Sequence, residues 1–201
     1  MRYLLISLCL LMVGCSSYPK KNNFVVDEAN RLTSLNPYFS NLELDYVYKA
    51  QISIKENNFG GILIIKRINK QEHRVVFTTE MGNKLFDFSY RGDDFKVNSI
   101  LAEMDKKILV NLLKKDFKVL IEENPKRVNS YTTNDYSIIQ ADIYEKNNYY
   151  FFNENSLKKI VKTKSGKENT RFIFSGIDTS IAKNIQILHS KIKLEITLTK
   201  I

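Results

Sequence analysis

Tryptophan is absent from this sequence, histidine and cysteine occur twice each, and 201 residues hold only three prolines and seven glycines. So little glycine and proline excludes a collagen-like or low-complexity chain. No HExxH pair, Cys/His cluster or glycine-rich phosphate loop is present, so metalloprotease, zinc-finger and nucleotide-binding chemistries lack their residues. His73 and His189 lie far apart, each in or beside an expected strand, where a lone histidine is ordinarily structural. Ser175-Gly176 lacks the flanking glycine of a nucleophile elbow. Asp93-Asp94 stands in an expected hairpin turn, and turn chemistry accounts for it. A binding or transfer protein is therefore favoured over an enzyme, with no cofactor, no metal and no nucleic-acid partner.

What is present begins with Arg2 and an apolar run from Tyr3 to Val13, broken only by Ser7. A run of about 11 residues is too short for a spanning helix, which needs roughly 20, and suits the apolar stretch of a secretory signal. It closes on Leu11-Met12-Val13-Gly14-Cys15, which resembles the lipobox of bacterial lipoproteins. The resemblance implies cleavage after Gly14, diacylation of the Cys15 thiol and acylation of the new amine. Cys9 leaves with the signal, so the mature body keeps no thiol for a disulfide or a thiolate-bound metal. Asp after the lipidated cysteine marks inner-membrane retention in enterobacteria-like sorting. Ser16 and Ser17 stand there instead, and no acidic run follows, which points to the outer membrane and a periplasm-facing body.

The formal net charge is +9. Lysine pairs recur at Lys20-Lys21, Lys106-Lys107, Lys114-Lys115 and Lys158-Lys159. Such an excess reads first as a solvated basic surface; for a lipid-anchored body, anionic headgroups are its natural counterpart. Residues 16–26 are polar and lack periodicity, so they read as a flexible tether letting the body wander roughly 15–20 Å from the bilayer. A short helix is expected over Asp27–Leu35, ending before Pro37. The chain thus divides into a signal (1–14), a segment holding the lipidated cysteine, tether and short helix (15–42), and one domain (43–201), expected as a monomer.

From Leu44 the pattern has period two. Tyr46, Tyr48, Ala50, Ile52 and Ile54 alternate with more polar positions, as in a half-buried strand. Further strands are expected over Ile62–Arg67, His73–Thr79, Lys84–Tyr90 and Phe95–Asn98, with short turns that imply antiparallel neighbours. Leu101–Ile121 switches to helical spacing: Met104, Ile108, Leu109, Leu112, Leu113, Phe117 and Leu120 form a stripe opposite lysines, and Asn124-Pro125 follows. Residues 122–140 read as a polar loop. Strand signals resume at Tyr149–Phe152, Leu157–Lys164 and Arg171–Ser175, and most clearly where Ile192, Leu194, Ile196 and Leu198 alternate with polar residues. The sum is an α+β domain: a large curved antiparallel sheet, a half-open β-barrel, capped by one long central helix and a short N-terminal helix.

Lipobox, short helix, antiparallel strands, central helix and further strands occur in an order that resembles the outer-membrane lipoprotein receptor LolB and its soluble relative, the carrier LolA. The stretch AQISIKENNFGGILIIKRINKQEHRVVFTTEMGNKLFDFSY, Ala50 to Tyr90, carries the resemblance. It ends in the turn Glu80-Met81-Gly82 where LolB-type chains have Pro-Leu-Gly. The resemblance implies that Met81, matching a projecting leucine, is a membrane-insertion tip. It also implies a concave apolar face for acyl chains, lined by Ile52, Ile54, Leu63, Ile65, Val75, Phe77, Phe86 and Phe88. The function it implies is an outer-membrane-anchored receptor and insertion factor. Its ligands would be acylated lipoproteins or lipids, and its partner a LolA-like periplasmic carrier. The alternative is a non-catalytic structural or assembly lipoprotein that scaffolds envelope partners.

Overall fold

Alternating apolar residues build most of the protein as β-structure. The computed structural model describes residues 17–28 and 34–201. A single turn of helix, α1 (Tyr18–Lys21), leads to a two-residue strand β1 (Val25–Val26) and then to β2 (Asp45–Ile54) and β3 (Asn57–Asn69). Next come β4 (Glu72–Thr78), β5 (Lys84–Arg91), β6 (Asp94–Ile100) and the long helix α2 (Lys107–Ile121). The chain returns through β7 (Lys126–Thr132), β8 (Ser137–Ile143), β9 (Lys146–Asn153) and β10 (Ser156–Lys164), then β11 (Lys167–Asp178), β12 (Ile181–His189) and β13 (Leu194–Lys200). All thirteen strands form one antiparallel sheet in the order β1-β7-β8-β9-β10-β11-β12-β13-β2-β3-β4-β5-β6. The sheet does not close: β1 and β6 are its edges.

The curved sheet wraps α2. Leu109, Leu113, Phe117 and Leu120 of the helix are buried in one core with Tyr46, Tyr48, Phe77, Phe86 and Phe88 of the strands. The Phe86 ring lies 5.7 Å from Phe117 and stacks on Phe88 at 4.4 Å. The helix starts later than its apolar stripe suggests, at Lys107, because Leu101–Lys106 form turns that bury Met104.

Three sequence readings change. Residues 122–140, expected as a loop, carry β7 and the start of β8; β7 has a largely exposed pattern, so it shows no apolar alternation. β12 is a further unexpected strand. Its core residues Ala182 and Ile185 are three apart, so the inward face switches along it, opposite Gly176 at φ +60°. Residues 17–26 are docked rather than free. Tyr18 and Phe24 pack on the outer face of the sheet against Tyr131, Tyr149 and Phe151, with Tyr18 and Tyr149 centroids 4.8 Å apart. This cover explains why Tyr149–Phe152 is an unbroken apolar run: Tyr150 and Phe152 face α2, whereas Tyr149 and Phe151 meet the N-terminal segment. The expected cleavage after Gly14, the lipidation of Cys15 and most of the helix expected over Asp27–Leu35 lie outside the described residues.

One backbone approach depends on glycine. A Cβ on Gly61 would collide with the carbonyl of Thr78 on the neighbouring strand. Gly61→Ala is expected to destabilise the fold by about 3 kcal/mol, since backbone must move to relieve the overlap. A denaturant midpoint unchanged from wild type would refute this.

Candidate functional site

Antiparallel strands turn alternately at two rims. Register places the turns β2–β3, β4–β5, β8–β9, β10–β11 and β12–β13 on one of them. The N-terminal end of the α2 region reaches the same rim, because Leu101 donates its backbone N–H to the Leu85 carbonyl at the start of β5. The β4–β5 turn is held from within. The Thr79 N–H donates to the Asn83 carbonyl at 2.8 Å, Gly82 N–H to the Thr79 carbonyl at 2.9 Å, and Asn83 N–H to Thr79 Oγ1 at 3.1 Å. Gly82 takes φ +85°, open to glycine and strained for other residues. Met81, at the tip, is 92% exposed. Ile108, at the start of α2, is 70% exposed. The rim therefore carries two large apolar side chains in water.

The expected acyl-chain lining sits elsewhere. Ile52, Leu63, Ile65, Val75, Phe77, Phe86 and Phe88 are fully buried, and Ile54 is half-buried against them. In this conformation they are packed core. None of them lines the clefts of about 620, 570, 560 and 220 Å³. Besides α2, a segment that sequence reasoning passed over fills the interior. Leu35, Tyr38 and Phe39 are buried in the same core. Asn36 Nδ2 donates to the Leu120 carbonyl, and Tyr38 Oη to that of Leu157. The Phe39 carbonyl lies 3.1 Å from His73 Nε2, and Arg67 donates to the Ser40 carbonyl. The apolar spacing Leu35, Tyr38, Phe39, running on from the end of the expected Asp27–Leu35 helix, is the available signal.

Two buried carboxylates organise the charged groups. On the outer face, Asp87 accepts from Arg74 at 2.7 Å, Lys84 at 3.0 Å and Asn98 at 3.1 Å, contacts that hold its carboxyl well below the usual range. Under α2, Asp116 is completely buried, 2.7 Å from His189 Nε2 and 3.5 Å from Lys162 Nζ. Burial pushes the Lys162 ammonium below the ordinary lysine range, and Asp116 opposes that shift. The second ring nitrogen of His189 lies 3.3 Å from Thr170 Oγ1. Carboxylate, imidazole and hydroxyl thus stand in the order of an acyl-transfer triad. Thr170, however, is fully buried and receives the Asn169 amide, so no substrate carbonyl reaches it. Among the described residues no group of three His, Cys, Asp or Glu could hold a metal ion. No described helix is long and apolar enough to cross a membrane.

One unclosed antiparallel sheet wrapped round a central helix defines a class, the LolA/LolB-type half-barrel, and this chain has that fold. No family model matches the sequence, and no curated protein matches it either. The similarity is visible in solved structures. A LolA superfamily protein from Nitrosomonas europaea superposes with a TM-score of 0.54 at 10% identity, covering 82% of this chain and 87% of that one. A putative outer membrane lipoprotein-sorting protein domain from Vibrio parahaemolyticus gives a TM-score of 0.43 at 7% identity, over 78% and 83% of the two chains.

Proposed function

We propose that the protein is a lipid-anchored receptor and insertion factor at the outer membrane, facing the periplasm. It would accept acylated lipoproteins or lipids from a carrier of its own fold and release them into the bilayer. The observation that carries this reading is Met81, a flexible apolar side chain 92% exposed at the tip of a self-braced turn. An exposed methionine is out of place in water and suited to the headgroup boundary. The docked N-terminal segment adds support. With Cys15 lipidated, one residue, Ser16, separates it from Ser17, a Cα–Cα reach of at most about 7 Å. Tyr18 lies on Tyr149 of β9, so the anchor would be held close to the sheet. Acyl chains would take the concave face once α2 lifts from Phe86 and its neighbours.

The test is transfer of a lipoprotein from a LolA-like carrier to liposomes. Met81→Glu is expected to slow transfer about tenfold, because a carboxylate resists entering the bilayer. Equal rates for wild type and variant would remove Met81 from the mechanism.

A second reading, a non-catalytic scaffold for envelope partners, is favoured by two observations. The interior is packed, and β6 is an edge strand with a mostly exposed pattern, open to strand addition.

A further inference from the structure

The 220 Å³ cleft lies between α2 and the rim that carries Met81. Its mouth is formed by Lys115 of α2, Lys146 of β9, Lys164 of β10 and Lys191 of the β12–β13 turn. All four side chains are exposed, and among the described residues none pairs with a carboxylate. Lys162 and His189 form the floor, and Leu112 and Ile192 supply apolar wall. No acidic residue lines the cleft, and the buried carboxylate of Asp116 is engaged by two lining residues, Lys162 and His189.

We infer that this cleft is a binding site for a phosphate anion, supplied as the headgroup of an anionic phospholipid at the membrane surface. Four exposed lysines lining one cleft, with no carboxylate partner among the described residues, attract an anion strongly where protein walls limit screening. Lys162 is held in place by Asp116, its side chain only 11% exposed, so one cation is already positioned before a ligand arrives. The volume falls short of the ~300–1,000 Å³ that encloses a whole drug-sized ligand, which suits a headgroup and its first ester carbons. Leu112 and Ile192 give those carbons a surface that free phosphate would not use.

The inference rests on the proposed membrane anchoring only for the source of the phosphate; the site itself is distinct from the acyl-chain face. The full chain in nonionic detergent would be titrated by calorimetry with three probes: short-chain phosphatidylglycerol, short-chain phosphatidylcholine and inorganic phosphate. Phosphatidylglycerol is expected to bind at least about fivefold tighter than the other two. The triple variant Lys115→Gln, Lys164→Gln, Lys191→Gln should lose that preference. A charge-matched control, Lys70→Gln, Lys96→Gln, Lys183→Gln, should keep it. Preference retained in the first triple, or lost equally in both, would overturn the site. Inorganic phosphate binding as tightly as the phospholipid would overturn the headgroup assignment. Slow transfer by Met81→Glu with normal phosphatidylglycerol binding would leave this site standing whatever becomes of the insertion tip.

Discussion

Asp116→Ala is expected to cost about 3–5 kcal/mol of folding stability, the usual penalty for removing one partner of a buried ion pair. The carboxylate has no exposed surface and joins α2 to two separate strands, through Lys162 of β10 and His189 of β12. Without it Lys162 stays buried with no counter-charge, so desolvation acts on the ammonium unopposed and lowers its pKa further. A lysine whose folded pKa lies below its unfolded value destabilises most below the folded pKa. That penalty fades as pH rises toward the unfolded value. The deficit of the variant should therefore shrink as the pH is raised into the ordinary lysine range. Asp116→Asn should lose less, since its amide oxygen can still accept from His189. Urea denaturation of the three proteins across pH would check this, and a loss under about 1 kcal/mol for Asp116→Ala would contradict it.

Phe117→Ala is expected to have a comparable effect, about 3–5 kcal/mol, from lost transfer energy and the void left behind. Phe117 is fully buried, and its ring sits 5.7 Å from Phe86 on the far side of the helix–sheet contact. The void would open where an acyl chain would have to lie. The same variant should therefore take up more of a fluorescent fatty-acid probe than wild type, despite its lower stability. Phe151→Ala, on the outer face, should lose stability without gaining probe binding. Lower stability with no gain in binding for Phe117→Ala would favour the scaffold reading, in which the interior is permanent core.

Legibility in the sequence followed local periodicity. β2 and β13 read clearly because each buries one face and wets the other, and they are neighbours in the sheet with Ile52 opposite Ile196. The turn at Met81 was equally readable, since strands on both sides of it alternate. β7 was hidden by its exposure, and β12 by the switch of its inward face near Gly176. In the candidate site, Met81 stands exposed in the β4–β5 turn. The eight proposed lining residues were found as an inward-facing set, but alternation reports only that a residue points inward.

The β-rich plan, the central helix and the apolar residue at the β4–β5 turn are legible in local pattern, because strand and helix periods are written in adjacent residues. Whether the interior was filled, and by what, was decided only in three dimensions. Leu35, Tyr38 and Phe39 fill it together with α2, across contacts spanning as many as 119 positions between Tyr38 and Leu157. The meeting of Asp116, Lys162 and His189, and the docking of Tyr18 and Phe24 on Tyr149 and Phe151, likewise arise from long-range packing. Such meetings leave no local signature, because each partner's sequence neighbourhood is satisfied without the other.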